Sequence, residues 1–172
     1  MAVSTDRIVL APQPRGVFRD VVVIGTPKPG QCMVPVPGQT ALDDSGTLQY
    51  EPAGTTAAGT GLVDAMTADG DNIPIAVLIE DALQGVVVST AYTTGKRGRV
   101  YFPVAGEELN VMFQNQSGTA DDLGIGTKLI VDDGTGKVLK STGTPQSEPF
   151  QSMQVLTDPT ADQLIHVMFT GN

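Results

Sequence analysis

Apolar side chains in this chain recur in short alternating or continuous runs, and no stretch sustains a 3.6-residue period. "VFRDVVVIG" (17–25) has the β-branched density of a single strand. "IPIAVLIEDALQG" opens as a buried strand, Ile75 to Ile79, with one helical turn expected before Gly85. "VVVSTAY" (86–92) reads as a further strand, and "TTGKRGRVYFPV" as a glycine-rich basic turn leading into another over 99–104. "LNVMF" alternates, with Leu109, Val111 and Phe113 on one face and Asn110, Met112 and Gln114 on the other. "GTKLIVDDGTGKVLKS" (126–141) predicts a hairpin turning at "DDGTG". "DQLIHVMFTGN" alternates again, placing Ile165, Val167 and Phe169 opposite His166 and Met168.

Between these runs the chain is thin in apolar residues. "DDSGTLQYEP" predicts a turn and a short strand with Leu48 and Tyr50 on one face. "AGTTAAGTG" (53–61) reads as a loop, and "TADGDN" (67–72) as a tight turn without the further ligands of a calcium loop. "DDSGTLQY" and "DDGTGKVL" are loosely alike, which we read as common hairpin chemistry rather than duplication, because their flanks differ. Pro12, Pro14, Pro27 and Pro29 punctuate the first thirty residues, and "GTPKPGQCMVPVPGQT" reads as extended or polyproline-like chain. The expected fold is all-β: an extended Pro-rich N-terminal arm over 1–38, a small β-sandwich or barrel body over 39–172, and at most one short helix.

Composition agrees with short strands and many turns, since Gly (20) and Pro (12) are abundant among 172 residues. No apolar run approaches 18 residues, so no spanning helix and no membrane partner are expected. "MAVSTDRIVLAPQPRG" lacks a charged start followed by an apolar block, so no signal peptide is expected and the "NQS" at 115–117 reads as an idle sequon. Charge is uneven along the chain. Residues 1–30 hold four basic and two acidic side chains, and residues 31–172 hold six and seventeen, giving +2 against −11. So acidic a body repels nucleic acid, whose binding requires phosphate neutralisation. The "GKRGRVYF" cluster (Lys96, Arg97, Arg99) therefore reads as a solvated turn or a set of salt-bridge partners.

Catalytic chemistry is sparse. His166 is the only histidine and lies within a strand, no GxSxG elbow occurs, and Cys32 is the only cysteine. Disulfides within the chain are excluded, a zinc site has too few ligands, and the thiol is expected to be small and half-buried. Phosphate-loop and dinucleotide patterns are absent, and no cofactor or metal is expected. Glu107 and Glu108 stand side by side, but successive strand residues point to opposite faces. Two carboxylates acting on one glycosidic bond must converge across about 5–9 Å. The pair is expected to be solvated charge in a turn.

Three blocks occur in series: "DGDNIPIAVLIEDALQG", "AYTTGKRGRVYFPVAGEELNVMF" and "GIGTKLIVDDGTGKV". They resemble the capsid cement, or head-decoration, proteins of tailed bacteriophages. The likeness covers roughly residues 20 to 172, is most specific in the middle block, and has Glu107 where Asp is expected. It implies a non-enzymatic virion protein, made in the bacterial cytoplasm and seated on the outside of the head. Such proteins clamp major-capsid subunits, often as trimers. On this reading the partners are the major capsid protein and further copies of the chain. Arg7, Arg15 and Arg19 would pair with acidic capsid loops, and Val21, Val22, Val23 and Ile24 would pair as a strand with a neighbour. The alternatives are a virion or surface β module that binds carbohydrate or a receptor, and, after it, an acid-based hydrolase.

Overall fold

The computed structural model describes residues 7–10, 14–36, 47–53, 75–81, 86–115, 122–132, 134–142, 148–159 and 161–171. The runs that alternate or stay apolar become ten strands, and no helix occurs among the described residues. They are β1 (Val17–Val23), β2 (Cys32–Pro35), β3 (Gln49–Pro52), β4 (Ala76–Leu78), β5 (Arg97–Phe102), β6 (Glu108–Phe113), β7 (Lys128–Val131), β8 (Val138–Lys140), β9 (Phe150–Ser152) and β10 (Gln163–Phe169). The all-β body is thus observed, resolved into two closed five-stranded barrels.

Barrel 1 runs β1-β3-β2-β4-β5 and closes through the antiparallel β1–β5 pair. Barrel 2 runs β6-β8-β7-β9-β10 and closes through the antiparallel β6–β10 pair. Moving each strand of barrel 1 five places along the chain reproduces barrel 2, including the one parallel pair in each, β1–β3 and β6–β8. "DDSGTLQY" and "DDGTGKVL" lead into β3 and β8, which hold the same place in the two barrels. Their likeness therefore falls on a repeated architecture, which unequal connecting loops disguise in the sequence.

Alternation decides what each face covers. Val21, Val23, Met33, Tyr50, Ala76, Leu78 and Val100 fill barrel 1, together with Tyr92 from the β4–β5 connection. Cys32, Val34, Ile75, Val77, Ile79 and Tyr101 point the other way, into a cluster continuous with the barrel 2 interior of Leu109, Val111, Phe113, Leu129, Phe150, Ile165 and Val167. β4 is consequently buried on both faces, which is why "IPIAVLI" is apolar without alternation. Val86 bridges to Asp81 and packs into the barrel 1 cluster, and the chain then turns. The strand expected over 86–92 is absent, because Tyr92 is drawn into barrel 1 instead. The helical turn expected before Gly85 lies outside the described residues.

Main chain as well as side chain joins the barrels. The β7–β8 hairpin reaches across to barrel 1, where Cys32 N–H donates to Gly136 O (2.6 Å) and Gln31 Nε2 donates to Thr135 O. Gly136 has φ +67°, and a Cβ there would lie 2.4 Å from Cys32 O, so only glycine permits the approach. Residues 7–10 lie along β6. Asn110 N–H donates to Ile8 O (2.7 Å), Leu10 N–H donates to Glu108 O (3.2 Å), and Ile8 is fully buried.

The boundary expected at residue 38 needs correction for the part described. β1 and β2 are two staves of barrel 1, and residues 7–10 are bound to barrel 2. An apolar segment of this kind is buried in its own chain because the barrel cannot close without it.

Candidate functional site

Glu107 follows the Ala105–Gly106 turn between β5 and β6, and it is only 4% exposed. The expectation of a solvated pair is therefore wrong for this residue. Tyr101 hydroxyl (2.6 Å) and Val104 N–H (2.9 Å) donate to its Oε2, and Arg15 N–H donates to its Oε1. Gly16 N–H donates in turn to the Tyr101 hydroxyl (2.8 Å). A Cβ at Gly16 would fall 2.1 Å from Phe102 O, so that close crossing needs glycine. The main chain of the same glutamate is tied to barrel 2, where Phe169 N–H donates to Glu107 O (2.8 Å). One buried glutamate thus joins the segment before β1 and the end of β5 through its carboxylate, and the end of β10 through its main chain.

Burial acts most strongly on this carboxyl and would raise its pKa. The hydrogen bonds from Tyr101, Val104 and Arg15, with the nearby Gly16 N–H, together outweigh it and hold the group below the usual range. Burial, then the Glu107 hydrogen bond, pushes the Tyr101 phenol up to about 12. Neither group is poised for proton transfer near neutral pH. Glu108 points away and accepts contact from His166 Nε2 at 3.0 Å on the outer face of barrel 2. The two glutamates do not converge, and His166 is held by a carboxylate without a nucleophile between them. Cys32 is fully buried, and burial alone pushes its thiol up to about 12. It is more enclosed than the sequence led us to expect, and it is inert as a nucleophile. No group of three His, Cys, Asp or Glu that could hold a metal occurs among the described residues.

A cleft of about 650 Å³ opens between the barrels, lined by Lys28, Gln31, Glu51, Pro52, Lys137 and Asp162 among others. Lys137 Nζ lies 2.6 Å from Asp162 Oδ2. Burial is the largest influence on Asp162, yet the Lys137 hydrogen bond and its neighbours hold the carboxyl low. Lys137 and Asp162 neutralise each other there, while the Lys28 and Glu51 side chains also line the opening.

The candidate interface residues separate into two groups. Arg7, Arg15 and Arg19 are exposed. Arg15 lies 4.0 Å from Glu107, and Arg19 sits over the Phe102 ring at 5.9 Å. Val21, Val22 and Val23 are buried, with Val21 and Val22 opposite β5 and Val22 and Val23 opposite β3, while Ile24 N–H donates to Tyr50 O (2.8 Å). These four are committed within the chain, because closing barrel 1 uses both of their edges. The β1–β5 pairing also carries the Arg19–Asp20 end of one cluster alongside Arg97 and Arg99 of the other. No sequence pattern joined those two clusters, since about eighty residues separate them. No protein-family model and no curated protein sequence matches the chain.

Proposed function

We propose that the protein is a capsid cement protein: a structural component that binds the outside of a phage head and holds major-capsid subunits together, without turnover. The observation that carries this reading is where the three resembling blocks fall. They supply β4, the β5–β6 connection with its buried Glu107, and the β7–β8 hairpin that crosses between barrels. Residues that build the junction of two rigid barrels are what a clamp requires, whereas an enzyme would hold its distinctive residues in a cleft. Self-association, as a trimer, belongs to the same proposal, because symmetric repetition of a modest contact multiplies its strength.

Cosedimentation of the purified chain with heads that lack it tests the reading. Saturable, stoichiometric uptake and a higher temperature of head rupture are expected. Failure to sediment, together with binding on a glycan array or any turnover, would replace it with the carbohydrate-binding or hydrolytic reading.

A further inference from the structure

The chain before β1 is held at two places. Residues 7–10 lie along the part of β6 that β8 does not reach, since β8 pairs with β6 only at Phe113. Val9 bridges Leu109, Asn110 N–H donates to Ile8 O, and Asn110 Nδ2 donates to Arg7 O (2.6 Å). Residues 14–16 rest on the end of β5, and Arg15 Nη2 donates to Ala105 O (3.1 Å). At each place one main-chain donor ends on a carboxylate of the body. Ile8 N–H donates to Glu80 Oε2 (3.2 Å), and Arg15 N–H donates to Glu107 Oε1. Glu80 follows β4 of barrel 1, and Glu107 leads into β6 of barrel 2.

We propose that Glu80 and Glu107 make this segment an acid-released strap: in acid, residues 7–10 and 14–16 leave the barrels while both barrels stay folded. The segment makes one bridge to β6, whereas β1–β5 and β6–β10 each pair over six positions. With so few bonds it opens at a lower free energy than the ladders do. Ile8 is fully buried and resists release, so the bonds to the two carboxylates decide the balance. A charged acceptor holds a donor about twice as strongly as a neutral one. Burial opposes the Glu107 charge, but the hydrogen bonds outweigh burial and hold its folded pKa below the unfolded one. Its grip is therefore complete above about pH 4.3 and is lost as pH falls through the lower folded value.

Tyr101 on β5 and Arg15 on the strap face Glu107, and Asp81 and Tyr92 lie near Glu80. Phenols and guanidinium groups gain no negative charge in acid, and a carboxylate can only lose it, so no neighbour takes over as acceptor. Glu108 is the internal comparison. Its main chain accepts from Leu10 N–H, but its carboxylate turns to His166. Release uncovers the outer edge of β6 at Glu108 and Asn110 and the apolar seat of Ile8, so the strap governs access to the junction between the barrels. The strap needs no partner and is independent of the cement reading.

Amide hydrogen exchange on the full chain, followed by NMR at pH 6 and pH 3 and corrected for intrinsic rates, tests the strap. Protection of Ile8, Leu10 and Arg15 should fall at least about tenfold further at pH 3 than that of amides within the β6–β10 pair. At pH 6, Glu80→Gln and Glu107→Gln should each lower strap protection about tenfold, and Glu108→Gln by less than about twofold. The proposal is overturned if the strap amides keep their protection at pH 3, if they lose it only in step with the ladder, or if Glu108→Gln matches the other two variants. Should Glu107→Gln fail to fold, Glu80→Gln and the pH comparison on the wild-type chain still decide.

Discussion

The two barrels share a strand order but differ in what their cores belong to. The interior of barrel 1 is a separate cluster around Tyr50, Leu78 and Tyr92, while the interior of barrel 2 runs on into the contact between barrels. Barrel 1 thus packs on two fronts, inward and toward its neighbour, with β4 buried on both. Barrel 2 packs as one body with the junction. A repeated topology need not have repeated energetics. The second barrel and the junction should respond together, and damage inside the first should reach the second through β2, β4 and β5.

The largest effect is expected from Phe150→Ala, which empties a fully buried aromatic position in the shared cluster. It should cost about 3–5 kcal/mol. Leu78→Ala in the separate core should cost about 2–5 kcal/mol. Calorimetry of both variants should show one unfolding transition, and two would mean that the barrels unfold independently. Gly136→Val attacks the junction alone. Backbone strain and the clash with Cys32 O should together cost about 2–5 kcal/mol. Gly134→Ala is the control, because nothing lies within 4 Å of its added Cβ, although its positive φ still carries some strain. Denaturant midpoints at constant slope would give both values.

Glu107→Gln is expected to cost about 1–3 kcal/mol, because the amide turns a donor toward groups that already donate. The contribution of Glu107 also depends on pH. Its folded pKa lies below the unfolded value of about 4.3, so its stabilisation is fully present above that value and is lost as pH falls through the folded pKa. The deficit of the glutamine variant should therefore shrink when both proteins are compared at about pH 3 rather than at pH 7. A deficit independent of pH would exclude the carboxylate as the cause. His166→Gln should cost least, at most about 1 kcal/mol, since its partner Glu108 is half-exposed.

Much of the fold is legible in sequence because alternation reports burial directly. "LNVMF", "QLIHVMF" and "KLIVDDGTGKVL" declare their strands and turn. The repeat is not legible, because the two halves share strand order but differ in loop length and side chains. The burial of Val21 to Val23 was mistaken for availability, since a β-branched run between prolines has the same composition on an arm or inside a barrel. Glu107 was read as solvent-facing because a glutamate after glycine usually is. Its three donors come from Arg15, Tyr101 and Val104, and the first is about ninety residues away.

Electron cryomicroscopy of the native particle tests the central claim most directly. The cement reading predicts two-lobed density on the outer surface of the head, at symmetry-related sites where capsid subunits meet. Density confined to the head interior or the tail, or an exterior without the protein, would contradict it.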